Sequence, residues 1–265
     1  MRTLGRSVSF LIAFNGETET RRSEMTTGFD EQQRKSLRTA GFWYFLMTIS
    51  APIGLLYVPS KLVIPGDAAA TVELIRASES LFRFGIASEL FHQVVAVFLA
   101  LALYHLFRPV NENQAKLLVV FGALVSVPIM FLNVLNELAT LILLRGADFL
   151  SSFDKNQLDA LAFLFIRLHE LGIEIASIFW GLWLLPFGIL IIRSVFVPNI
   201  LGYLLFLAGS AYVVAFFASL LLPQYTTVIG QVALILEIGE LPTVLWFMIR
   251  AIWPPLIIEP GSAAS

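Results

Sequence analysis

The sequence predicts an all-α fold, a polytopic transmembrane bundle of six spans with both termini cytoplasmic, and three observations carry that prediction. Hydrophobic residues make up 58% of the chain and charged residues only 14%, with a mean hydropathy of +0.83. Soluble proteins average about 45–50% apolar and 25% charged residues, so the expected solvent is a lipid bilayer. Apolar runs of about 20 residues, the length that crosses a hydrocarbon layer, recur from residue 40 to residue 253 with no soluble domain between them. Finally, the basic residues flanking those runs are biased to one side. A net charge of −2 and a pI near 5.9 offer no basic surface for nucleic acid. The absence of cysteine excludes disulfides, thiolate metal sites and a cysteine nucleophile.

Residues 1–38 are polar and read as a disordered cytoplasmic tail, with Met25 an alternative start. The apolar patch Ser7 to Phe14 is followed by Asn15-Gly16-Glu17 without a small-x-small cleavage site, which argues against a signal peptide. Residues 39–253 form one membrane domain. Its first span covers Thr39 to Val58, bent by Pro52 and Gly54. In the loop that follows, Pro65-Gly66-Asp67 is a turn ending in an N-cap, and residues 67–80 suit a short helix at the membrane surface. The second span, Arg83 to Phe107, is closed by Arg108-Pro109. Asn111 and Gln114 form a capping-box pattern ahead of the third span, Lys116 to Leu144, which contains Pro128. Asp154 and Gln157 repeat that pattern and open a helix that continues to Ile192. Pro198-Asn199 starts the uncharged fifth span, where Ala208, Ala211, Ala215 and Ala218 make a small-residue packing face. The sixth span, Val228 to Trp253, contains Pro242, and residues 254–265 read as a flexible tail.

With the N-terminus cytoplasmic, Arg34, Lys35, Arg38, Arg108, Lys116, Arg193 and Arg250 are inside and Lys61, Arg76, Arg83, Arg145 and Lys155 outside, a bias that favours this orientation; the expected location is the plasma (inner) membrane. Depth then follows from helix rise. Glu89 and Glu174 each lie 19 residues from the basic residue closing their span, roughly 28 Å from the inner boundary. Asn136 and Glu137 sit at a similar level, His92 about one turn deeper than Glu89, and Glu237 and Glu240 roughly 20 and 15 Å above Arg250. A charge at a helix centre costs at least about 2.5–3.5 kcal/mol in lipid, so these groups should face one another or water. We therefore expect spans two, three, four and six to converge on an outward-opening polar cavity lined by Glu89, His92, Asn133, Asn136, Glu137, His169, Glu170, Glu174, Glu237 and Glu240.

Each candidate also has a structural reading. Arg167, Glu170 and Glu174 share a helix face, where an intrahelical ion pair accounts for them, while His169 lies about 140° around the helix from Glu174. That stretch is best placed at the rim of the cavity, with Glu240 as its floor. Glu89-x-x-His92 has the i, i+3 spacing of di-metal bundles but occurs once, so Glu89, His92 and His169 are a weak metal-ligand set, for zinc or iron. Asn133 and Asn136 suit interhelical bonding equally well. Glu240 before Leu241-Pro242 can bond a carbonyl freed by the proline.

The runs Ile64-Pro-Gly-Asp-Ala-Ala-Ala-Thr71, Leu81-Phe-Arg-Phe-Gly85 and Ala100-Leu-Ala-Leu-Tyr104, together with Pro109-Val110, Asn133, Asn136 and Gly239-Glu240, resemble a bacterial multi-pass membrane family catalogued as domain of unknown function 4386, over roughly residues 35 to 252. The resemblance implies a helical membrane fold and does not imply an activity. Three function classes follow from the residues: a sensor or accessory protein, a cation- or proton-linked transporter, and a membrane-embedded metal-dependent lipid hydrolase. The balance leans away from an enzyme. The lipid bilayer is the expected partner, self-association is open, and no cofactor is read.

Overall fold

The computed structural model describes residues 31–253; the two tails, with the Ser7 to Phe14 patch and Met25, lie outside the described residues. Seven helices follow in order: α1 Glu31–Leu62, α2 Ala68–Ala77, α3 Glu79–Phe107, α4 Glu112–Arg145, α5 Lys155–Arg193, α6 Asn199–Leu221 and α7 Pro223–Ile252. All but α2 are long and apolar enough to cross a membrane. Their outward faces carry exposed side chains such as Leu124, Leu132, Leu220 and Ile235, as a lipid-facing surface requires.

The first span starts at Glu31 rather than Thr39, a correction with a tertiary cause. Leu37, Ala40, Gly41 and Tyr44 form a buried stripe at helical spacing, and Gly41 lies against Phe247 and Ala251 of α7. Packing stabilises a turn that its polar sequence conceals. At the other loop, Asp154 and Gln157 make both halves of a capping box, at 2.9 and 3.0 Å. Asn111 accepts from the Gln114 amide at 3.0 Å, the first half of the same motif.

Prolines set the local winding of three spans. A proline has no N–H for the carbonyl four residues before it and clashes with that group. The carbonyls concerned are those of Leu55, Leu124 and Ile238, ahead of Pro59, Pro128 and Pro242. The first two lie in π-helical segments, Ile53–Tyr57 and Val120–Val125, and the third in a 3₁₀ turn, Ile238–Glu240. These breaks recur beside the polar groups described below.

Two packed regions bracket the bundle. Toward the ends of α3, α5 and α7, the fully buried Phe107, Phe187 and Phe247 meet with ring centroids 5.7 to 6.3 Å apart. At the opposite end, Val58, Ile75, Phe82, Ile86, Val134, Leu141 and Ile166 join α1 through α5. There α2 is held by its Asp67 cap, which accepts from the Ala70 amide at 2.9 Å, by Thr71 bonded to the Ile64 backbone, and by an ion pair between Arg76 and Asp159 of α5. Asp159→Ala should leave global stability nearly unchanged, by less than about 1 kcal/mol, while speeding amide hydrogen exchange in α2.

Helices α5 and α6 approach most closely at glycines, not only at the expected alanine face. Ala208, Ala211 and Ala218 are buried and Ala215 is half-buried. A Cβ added at Gly209 would lie 2.6 Å from the Gly181 carbonyl oxygen, and one at Gly202 2.7 Å from that of Gly188. Gly202→Leu should therefore destabilise the bundle by about 2–3 kcal/mol, read as a lowered thermal midpoint in detergent. Gly230→Leu, with open space around the glycine, is the control that should not.

Candidate functional site

Burial of one stripe of α5 decides where its polar residues go. His169 meets Glu89 of α3, Gly172 lies against Asn133 of α4, and Ala176, at i+7 from His169 on the same side of α5, is buried with His169. That rotation sends Arg167, Glu170 and Glu174 to the outside, where Arg167 pairs with Glu170 and Glu174 is exposed. The reading of Glu170 and Glu174 as part of a polar cavity is corrected accordingly. Helix rise counts Glu174 to the depth of Glu89, but both carboxylates point away from it around the helix.

His169 meets Glu89 of α3 and Glu137 of α4 inside the bundle. One ligand atom from each lies within 4.8 Å of the others. The three residues are 5%, 2% and 7% exposed, so nothing bulky reaches them from outside. His169 Nε2 stands 3.2 Å from Glu89 Oε1, and the second oxygens of both Glu89 and Glu137 are buried with no hydrogen-bond partner. Among the described residues, neither carboxylate has a Lys or Arg partner. At the other ring nitrogen, Nδ1 lies 3.4 Å from the Asn133 carbonyl, which can only accept, so Nδ1 carries the proton. In the neutral ring that leaves the Nε2 lone pair directed at Glu89, the arrangement a histidine adopts when its far nitrogen binds a metal.

The surrounding amides fix this geometry. Asn133 Nδ2 donates to the His169 carbonyl at 2.9 Å, and Asn136 Nδ2 donates to Asn133 Oδ1 at 3.0 Å. Thr140 Oγ1 donates to the Asn136 and Ala162 carbonyls at 3.1 and 3.3 Å, tying α4 to α5. Two glycines permit the approach. A Cβ at Gly172 would overlap the Asn133 carboxamide, and one at Gly54, in the π segment of α1, would lie 2.7 Å from Glu89 Cγ. Gly54 was legible only as a bend beside Pro52 and Gly172 not at all, since a lone glycine in an apolar run carries no sign of what it faces.

His92 is not part of this triad. One turn along α3 from Glu89, its Nδ1 pairs with Ser50 Oγ at 3.1 Å, and Ser88 Oγ donates to the Ser50 carbonyl at 3.0 Å. The metal-ligand set Glu89, His92 and His169 is thus corrected to Glu89, Glu137 and His169. His92 instead lines a separate cavity of about 350 Å³ with Glu237 and Glu240. Spans two, three, four and six do not converge on one polar cavity; their polar residues divide between an enclosed triad, this second cavity and the outer face of α5. Gln93, Trp180, Trp183 and Tyr212 also line the cavity and were missed. Tyr212 had one legible sign, a phenol within an otherwise uncharged span.

A family model described as domain of unknown function (DUF4386) matches residues 39–251. The chain belongs to the DUF4386 family. The DUF4386 match takes in all six spans, the triad and the cavity, so both features lie within the domain that defines the family. Nothing matches this DUF4386 chain among curated proteins or among solved structures.

Proposed function

We propose that this integral membrane protein binds a divalent cation of the zinc, iron or manganese class in an occluded site formed by Glu89, Glu137 and His169. The observation that carries the reading is the trio of buried ligand atoms, two of them on carboxylates whose second oxygens have no partner. Two ionised carboxylates and a neutral imidazole carry a charge of −2, which a single divalent ion cancels. Without such compensation, charges buried in an apolar medium cost several kcal/mol each. A mixed nitrogen and oxygen ligand set suits these metals better than calcium or magnesium, which prefer all-oxygen shells.

Enclosure of the site favours ion binding, as in a cation-linked carrier or a sensor, over hydrolysis of a lipid that would have to reach the metal. The orientation with both termini cytoplasmic, supported by the flanking basic residues and the even number of spans, puts the triad in the outer half of an inner membrane. Equilibrium dialysis of purified protein against zinc, manganese and iron(II) should give about one ion per chain. Absence of binding for all three metals would overturn the proposal, leaving the triad as a proton-sharing cluster. In vesicles containing the protein, zinc flux that is abolished in Glu137→Gln identifies a carrier, and stoichiometric binding without flux identifies a sensor.

A further inference from the structure

All six spans contribute to the cavity that holds His92, and its lining has a definite chemical character. Among the described residues its only carboxylates are Glu237 and Glu240, both from α7, and no Lys or Arg lines it. Most of the remaining wall is apolar, with four aromatic residues, Tyr44, Trp180, Trp183 and Tyr212. Tyr212 lies beside Glu240. The ring of Trp183 packs against Gly122 in the π segment of α4, where a Cβ would come within 2.6 Å of it. The two glutamates sit at the 3₁₀ break of α7, Glu237 just before it and Glu240 its last residue. Glu237 ends one half-helix, so the negative end of that helix dipole adds to the carboxylates. Gln93 adds a separate sign of a ligand. It is 2% exposed and lines the cavity, and its amide nitrogen, a donor with no hydrogen-bond partner, calls for an acceptor atom on a bound molecule, while the positive charge is left to the carboxylates.

We propose that this cavity binds a lipophilic organic cation, with Glu237 and Glu240 neutralising its charge and the tryptophans and tyrosines packing on its apolar body. A bare metal ion would not use the aromatic walls, and a neutral lipid chain would leave both carboxylates uncompensated. An aromatic-lined, carboxylate-bearing cavity of about 350 Å³ matches a cation large enough to fill it, through cation–π contact and opposite charge together. This site is distinct from the triad, and its failure would leave the metal reading standing.

Tetraphenylphosphonium and tetraphenylborate, nearly identical in shape and opposite in charge, provide the probes. Radiolabelled tetraphenylphosphonium should bind the purified full-length protein saturably, at about one per chain, and tetraphenylborate should show no saturable component. In the variant Glu237→Gln/Glu240→Gln the affinity should fall about tenfold or more, while Glu174→Gln, on the exposed face of α5, leaves it unchanged. Ala96→Phe, which fills the cavity and keeps both glutamates, should abolish binding and serves if the double variant does not fold. Equal affinity in the folded double variant, equal binding of the two probes, undiminished binding in Ala96→Phe, or no saturable binding by the wild type would each overturn the proposal.

Discussion

Replacing either triad carboxylate by its amide, Glu89→Gln or Glu137→Gln, should weaken divalent cation binding by at least about two orders of magnitude. Each substitution removes one of three protein ligands and half of the negative charge that the ion neutralises, while preserving the shape of the side chain. Ligand loss should exceed the roughly 10–100-fold effect typical of outer-shell changes. His92→Ala is the informative control. It lies one turn from Glu89 on the same helix, bonds Ser50 instead, and should leave metal affinity unchanged. Binding should also weaken as pH falls, because protons and the metal compete for the same three ligand atoms. A titration in which all three variants behave alike would show that the triad does not hold the ion.

The second large effect is expected at a residue that ligates nothing. A methyl group at Gly172 would overlap the Asn133 carboxamide, which supports the His169 carbonyl and is itself held by Asn136. Gly172→Ala must push α5 from α4 or expel Asn133. Either outcome strands buried amide groups in a low-dielectric interior and should destabilise the protein by about 2–4 kcal/mol. Because His169 would tilt, metal affinity should fall by a further 10–100-fold, about the effect of an outer-shell loss. Adding Asn133→Ala to Gly172→Ala vacates the space the new methyl needs. The double variant should therefore recover part of the stability that simple additivity would deny it, which thermal unfolding of the four proteins measures directly.

The spans were legible because a bilayer imposes a length on apolar runs, and the caps at Asn111 and Asp154 because they satisfy a local need. The start of α1 was not, since Glu31 to Arg38 is polar and its helical state depends on Leu37 packing within the bundle. Depth could be counted: Glu89 and Glu137, on different spans, were placed at one level from helix rise alone, and they meet. Direction around the helix could not be counted. Glu174, counted to that same level, lies five residues along α5 from His169, which is the residue that meets Glu89, and it faces outward while Gly172 packs on Asn133 of α4. Within α3, Glu89 and His92 are close in sequence and in depth yet serve two sites, a division decided by Ser50 on the facing helix. The bend of α1 was read from Pro52 and Gly54, whereas the π segment there precedes Pro59; Pro128 and Pro242 were legible inside α4 and α7, but not the winding each imposes, since π and 3₁₀ windings relieve the same lost hydrogen bond in opposite ways.

X-ray absorption at the metal edge, on protein loaded with one zinc ion per chain, examines the coordination sphere itself. Occupancy of the triad predicts one imidazole nitrogen and carboxylate oxygens at about 2.0–2.2 Å, with the imidazole signature lost in His169→Ala and kept in His92→Ala. A zinc shell without imidazole, or one that survives the His169 substitution, would contradict the assignment of Glu89, Glu137 and His169 as a metal site.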